Sequence, residues 1–332
     1  MFGDIFNYQY SPRDFTEDFE HENGNYENIC MTCGQHFIGH KQRILCRECT
    51  FASSYSQPKY HTFIHDINEL KFFYDNILPP LEKTDVYFVS LSARNKYLTD
   101  EEKETLDLGR AEMFCKTIIR KNGWDRFLRT IRKFECHIDG YTTKNGSPIP
   151  SKCIVMYINI NPSNTLQAIA SFKKVLFEYE VEIASIALND RSNNNNIAER
   201  LNKIDNSLMT AYQQSRGTKT WIDIDCDVNK IFKPHENISI KKFMCNLGLK
   251  TYWWIDTKSG YHLLLKRDEL SELKLNPSDL IPYIYREYYK QMDELNLDYG
   301  KTEIIINKNA MIPLPGVYQG GYPVTVLNKD QV

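Results

Sequence analysis

Thr220-Trp221-Ile222-Asp223-Ile224-Asp225 is the most informative segment of this chain. It is a short apolar strand with two carboxylates two residues apart, and alternation along a strand sends both to one side of a sheet. Trp221, Ile222 and Ile224 supply the apolar contacts that fix such a strand. Paired carboxylates on a fixed backbone are a way to hold metal ions. The same Asp-x-Asp occurs in calcium loops, sugar-nucleotide sites and ordinary strand ends, so its meaning depends on the residues downstream.

Downstream, Lys258-Ser259-Gly260-Tyr261-His262 forms a tight glycine turn between two apolar runs, residues 252–255 and 261–265. Such a turn presents a hydroxyl and an imidazole together at a strand start, where they can contact a phosphate; a hairpin with a packed histidine is the plain alternative. Residues 276–297 repeat apolar side chains at helical spacing, with Pro277 suited to a first turn. Beyond them stand Leu297-Asp298-Tyr299-Gly300, Glu303 and Met311-Ile312-Pro313-Leu314-Pro315-Gly316. Asp298 can complete the coordination of a metal pair or serve only as a turn acid, because Asp-x-Gly favours turns. The order strand, helix, strand, strand, helix, strand is that of a split β-α-β unit.

Near the N-terminus, Cys30-Met31-Thr32-Cys33 and Cys46-Arg47-Glu48-Cys49 are separated by twelve residues. Two Cys-x-x-Cys pairs let Cys30, Cys33, Cys46 and Cys49 close a tetrahedron around a structural Zn²⁺, and Gly34 permits the knuckle turn. His36 and His40 are spare ligands, and Lys41, Arg43 and Arg47 give the module a small basic set of the kind that touches nucleic acid. The other five cysteines are scattered, as expected of free thiols in an intracellular protein.

The 332 residues suffice for about two domains and a small module, by the prior of roughly 100–200 residues per domain. Charges nearly cancel, 41 basic against 43 acidic, so polyanion binding has to come from local patches. No run is long and apolar enough for a membrane span, and the acidic, aromatic N-terminus does not look like a signal peptide; no membrane partner is expected. We divide the chain into a mobile tail (1–28), a four-cysteine zinc-binding module (29–52), an accessory α/β module (60–210) with a buried strand at 85–91, and a sheet module (215–332). The four-asparagine loop at 192–196 is a plausible boundary. Thr99-Asp100-Glu101-Glu102 caps a helix expected to run to about residue 121, and a second helix is expected over 124–134. Lys116, Arg120, Lys121, Arg126, Arg129, Arg132 and Lys133 would then lie at helical spacing and could track a phosphate backbone, a solvated face being the alternative. Arg94, Lys96 and Tyr97 form a second basic and aromatic set, with Tyr97 able to stack on a single-stranded base.

Asp223-Ile224-Asp225, Ser259-Gly260-Tyr261-His262 and Leu297-Asp298, in this order, resemble the three motifs of the archaeo-eukaryotic primase superfamily, which includes small primase subunits and primase-polymerases. Pro315-Gly316-Val317-Tyr318-Gln319-Gly320-Gly321 is similar to the Pro-Gly segment that trails its third motif. The resemblance covers residues 215–328. It departs from the pattern in the two residues between Ser259 and His262 and in the lack of a basic residue before Pro315, for which Lys308 is the substitute. Glu303 competes with Asp298 as third acid.

The resemblance implies an α+β primase-polymerase core with an RRM-like sheet, acting in DNA replication as a nucleotidyltransferase on single-stranded DNA. It implies two Mg²⁺ or Mn²⁺ ions on Asp223, Asp225 and Asp298, and a nucleoside triphosphate held by Lys258, Ser259, His262 and Lys308. With no Walker A loop, unwinding would come from a helicase or other replication protein. An intracellular location is expected, cytoplasmic or at the replication site, and the Asn-, Lys- and Ile-rich composition hints at a viral or plasmid gene. A catalytically inactive zinc-bearing accessory protein and a two-metal nuclease are the alternatives.

Overall fold

The computed structural model describes residues 18, 22–53, 60–120, 122–143, 145–189, 204–215, 217, 219–307 and 311–328. Lys121, Lys308, the 192–196 loop and most of the 1–28 tail therefore lie outside the described residues. The chain is a mixed α+β protein whose sheets are antiparallel.

Asp85–Ala93 is the centre of the first sheet, and all nine of its residues are buried. It is flanked by Glu112–Ile119 on one side and Ile154–Asn159 on the other. The second sheet runs in the order Glu303–Ile306, Trp221–Asp227, Gly260–Lys266, Tyr252–Thr257, Thr325–Val326. Counted along the chain, its first four strands lie in the order fourth, first, third, second, which is the arrangement of a split β-α-β unit. The alternation expected of Trp221–Asp227 is what divides its two faces. Ile224 and Cys226 point into a core with Leu263, Leu265, Tyr252 and Trp254, closed by the helices Ile238–Asn246 and Leu280–Glu294. Trp221, with Leu264, Trp253 and Ile255 from the neighbouring strands, points the other way, into a core shared with Phe73, Leu91, Ile154 and Ile158 of the first half of the chain. Asp223 and Asp225 share the face of Trp221, so the acids point towards the seam between the two sheets.

Two expectations are corrected. The helix capped at Thr99 does form, with Thr99 and Glu102 completing a capping box, but it spans only Asp100–Leu106 and stops at Asp107 in the left-handed conformation. Residues Glu112–Ile119 are a strand. Met113, Phe114, Thr117, Ile118 and Ile119 suit a pleated surface better than a helix, and pairing with the buried Asp85–Ala93 decides the matter. The basic residues are therefore split: Lys116 sits on the strand with Arg120 just beyond it, whereas Arg126 and Arg129 are exposed on the helix Trp124–Arg132. Arg132 is 2% exposed and belongs to the interior.

The second correction concerns the C-terminal segment, expected as part of one sheet module. Met311–Pro313 and Tyr318–Gln319 leave the second sheet and pair with Ile154–Asn159 of the first, before Thr325–Val326 returns to the second. Gly316 makes this crossing possible: its φ is +84°, and a Cβ there would lie 2.5 Å from Leu70 N. The same segment thus staples the two sheets together.

Candidate functional site

Three acids, Asp223, Asp225 and Asp227, occupy alternate positions of one strand and so face one way. The register places His262 directly across from Asp225. Its Nδ1 lies 3.0 and 3.1 Å from the two oxygens of Asp223, and its Nε2 lies 3.8 Å from Asp225 Oδ1. Asn307, at the end of the neighbouring edge strand, donates its Nδ2 to Asp223 Oδ2 at 2.8 Å and its main-chain N–H to the Asp223 carbonyl. Burial alone would strip the proton from His262, but Asp223, then Asp225 and Asp227, outweigh it and raise the imidazole to about 9. Burial pushes the Asp225 carboxyl up to about 6, reinforced by Asp227 and Asp223 and opposed by His262. At neutral pH this is an imidazolium set among three carboxylates. The row is net acidic, with both Asp223 oxygens engaged by His262 and Asn307.

The hairpin head supplies the opposite sign. Gly260 is obligatory there, since a Cβ would meet the Cys226 carbonyl oxygen at 2.0 Å. Lys96, from the Asn95–Tyr97 turn that follows the central strand of the first sheet, donates to Ser259 Oγ at 3.2 Å. Lys258 Nζ lies 4.1 Å from the centre of the Tyr97 ring and donates to the Gly320 carbonyl at 2.7 Å. Burial lowers the affinity of both lysines for their protons. Arg94 donates to Tyr157 OH, and its Nε is buried with no partner among the described residues. The seam therefore holds an acidic patch on one strand and a basic cluster beside it.

Asp298 is exposed in the turn after Leu280–Glu294, where it accepts from Gly300 N at 3.2 Å. Among the described residues no hydrogen bond or ion pair joins it to Asp223, Asp225 or His262. Glu303 stands opposite Asp227 on the edge strand, with its side chain exposed. Arg120 stays at the surface, donating to Tyr212 OH at 3.4 Å. Three residues of the site are not singled out as candidates by the sequence. Asp227 is signalled only as the next alternate position after Asp225; Asn307 enters only through sheet pairing; and Gln319, though inside the Pro315–Gly321 segment, has no signal for the contact its side chain makes with Lys258 N. Lys96, expected as a nucleic-acid contact, lies against Ser259.

The four cysteines form a second centre. The ligand sulfurs of Cys30, Cys33, Cys46 and Cys49 all lie within 4.8 Å of one another, the single such metal-ligating group among the described residues. Gly34, at φ +70°, follows Cys33 in the knuckle, and the helix Arg47–Ser53 starts inside the second pair. Burial opposes ionisation of Cys30, yet N–H groups of Cys46, Cys33 and Thr32 turned towards its sulfur bring the thiol to about 6. This set fits a structural zinc ion. Arg47 then ties the module to the body through a buried ion pair with Glu135, 2.9 Å, whose other oxygen accepts from the N–H groups of Phe63 and Ile64.

No helix among the described residues is long and apolar enough to cross a membrane. Comparison with protein-family models, curated proteins and solved structures found no match.

Proposed function

We propose that this chain is a DNA primase or primase-polymerase, performing template-directed nucleotidyl transfer from nucleoside triphosphates on single-stranded DNA in replication. One observation carries the reading: the acids of the first primase-like motif and the histidine of the second lie on adjacent strands in direct register, and Ser259 at the head of that hairpin meets Lys96 from the other sheet. The fourth-first-third-second strand order supports an RRM-like catalytic core. Asp223 and Asp225, with Asp227 in line, would hold the ions, and Asp298 or Glu303 would join them if the 298–303 segment closes over the strand. Bound Mg²⁺ or Mn²⁺ supplies activation of the 3′-hydroxyl and charge neutralisation at the leaving pyrophosphate. Asp223 keeps His262 charged and oriented; Ser259, His262, Lys96 and Lys258 offer donors to the triphosphate, with Lys308 a further cation. Arg120, Lys121, Arg126 and Arg129 and the zinc module would hold the template strand, with a helicase or other replication protein as partner.

The test is incorporation of labelled nucleotides on single-stranded DNA, with and without a primer, in Mg²⁺ and Mn²⁺. Product that vanishes in Asp223→Ala and Asp225→Ala is expected; a chain that makes none under any of these conditions is not such an enzyme. Shortening of the labelled strand would identify a nuclease.

A second reading rests on Asp223. Both of its oxygens are engaged, by His262 and Asn307, and Asp298 stands away in its turn. This favours a zinc-bearing single-strand-binding accessory protein with a silent centre. Salt-sensitive DNA affinity that is indifferent to alanine at all three acids, together with no nucleotide or metal binding, would select it.

A further inference from the structure

Gln319 is 3% exposed, although it lies on a two-residue strand at the margin of the first sheet. Its main chain belongs to that sheet, paired with Val155 and Tyr322. Its side chain belongs to the seam: Oε1 accepts from Lys258 N at 2.7 Å, and Nε2 donates to Tyr97 OH at 3.0 Å. One primary amide therefore joins three segments that converge on the site, namely the Asn95–Tyr97 turn with Lys96, the hairpin head with Lys258 and Ser259, and its own strand. The next residue tightens the joint. Gly320, at φ +56°, has the Lys152 carbonyl oxygen 2.6 Å and a Tyr97 ring carbon 2.8 Å from where a Cβ would sit, and its own carbonyl receives Lys258 Nζ. An amide offers an acceptor and a donor from one neutral group, which is what a buried position facing an N–H and a phenol oxygen requires.

We infer that Gln319 is a positioning residue that clamps the Lys258–Ser259 turn against Tyr97 and so fixes the cluster of Lys96, Lys258 and Ser259. The clamp itself follows from the contacts; that the fixed cluster receives a triphosphate rests on the nucleotidyl-transfer reading. Two measurements on the full chain separate these. In Gln319→Met, which keeps the length and removes both hydrogen bonds, amide hydrogen exchange at residues 257–260 should rise about tenfold while Trp221–Asp227 is unchanged. In the same variant, ATP titrated in Mn²⁺ should bind about tenfold more weakly, with binding of Mn²⁺ alone altered less than about twofold. Gln319→Glu, which keeps the acceptor for Lys258 N, should restore most of the protection. If Gln319→Met does not fold, Gln319→Leu, which likewise removes both hydrogen bonds, and Tyr97→Phe, which removes the acceptor of Nε2 together with the phenol's own hydrogen bond to Ser259, should each raise exchange at 257–260 by about threefold or more. Unchanged exchange at 257–260, or an increase spread over both sheets, overturns the clamp. Failure of the unaltered chain to bind ATP refutes the nucleotide reading, and exchange at 257–260 still decides the clamp.

Discussion

Replacing Asp225 by Asn should make the protein more stable at alkaline pH when divalent metal is chelated, and the structure sets the size of the effect. The carboxyl is raised from 3.8 to about 6, by burial first and by Asp227 and Asp223 next. A raised acid binds its proton more tightly when folded, so ionised Asp225 costs stability above about pH 6, and this cost is absent below 3.8. At about 1.4 kcal/mol per unit the shift corresponds to ~3 kcal/mol. The side chain is 34% exposed, so solvent screening reduces this to about 1–2 kcal/mol. Urea unfolding in the presence of a chelator should find Asp225→Asn more stable by that amount at pH 8, with the difference falling to about a third by pH 4.5. The proposed nucleotidyl-transfer function further requires that Mn²⁺ added at pH 8 stabilise the unaltered protein and leave the variant unmoved. A variant less stable than the parent at pH 8, or a difference that ignores pH, would refute the account of Asp225 as an acid raised by burial and by its acidic neighbours.

His262 carries the opposite sign: raised from 6.5 to about 9, it contributes stability that is complete below 6.5 and lost as pH climbs through 9. The metal-free chain should therefore weaken between pH 8 and 10, and His262→Ala, which leaves Asp223 charged beside Asn307, should cost about 3–5 kcal/mol at pH 7 by urea titration. Elemental analysis should find one zinc per chain; its removal, or Cys33→Ser, should open residues 26–53 to proteolysis while Trp221–Asp227 keeps its exchange protection. Arg126→Glu with Arg129→Glu should weaken single-stranded DNA binding and lower the slope of log affinity against log salt by about 2 if the helix face contacts phosphates. Asn307→Asp sets a third carboxylate against Asp223: the chain should lose stability in chelator and bind Mn²⁺ more tightly by calorimetry.

The features that the sequence announces are periodic ones. Trp221–Asp227 declares itself by alternation, Tyr252–Thr257 and Gly260–Lys266 as apolar runs on either side of a glycine turn, and the four cysteines by spacing. The short helix after Thr99 shows a different balance. Its start is written in a capping box, a local interaction between Thr99 and Glu102, but its end is not, because Asp107 adopts φ +46° without being glycine. The segment Glu112–Ile119 becomes a strand by pairing with Asp85–Ala93, a partner whose location no local rule supplies. The crossing of 311–323 has the same cause. Three prolines and three glycines give this segment no strand pattern of its own, and its pairing partner, Ile154–Asn159, lies about 150 residues upstream.

The third acid shows where motif order and sheet register part company. Edge strand Glu303–Ile306 runs antiparallel to the acidic strand with Glu303 opposite Asp227 and Ile305 opposite Asp225, and the Asn307 N–H bonded to the Asp223 carbonyl continues that register. Side chains directly across an antiparallel pair share a face, so a carboxylate on this strand that meets the acidic row has to stand at 303, 305 or 307. Those positions hold Glu, Ile and Asn. Asp298 falls five residues before the strand, on the side of Asp227, so it can reach Asp225 only if 298–302 folds back across the face. Glu303 needs no such movement, only a rotamer that turns it inward beside Asp227. The register thus makes Glu303, not Asp298, the acid that the proposed two-metal reading would draw on beside Asp227, and leaves Asp223, His262 and Asn307 as the hydrogen-bonded end of the row.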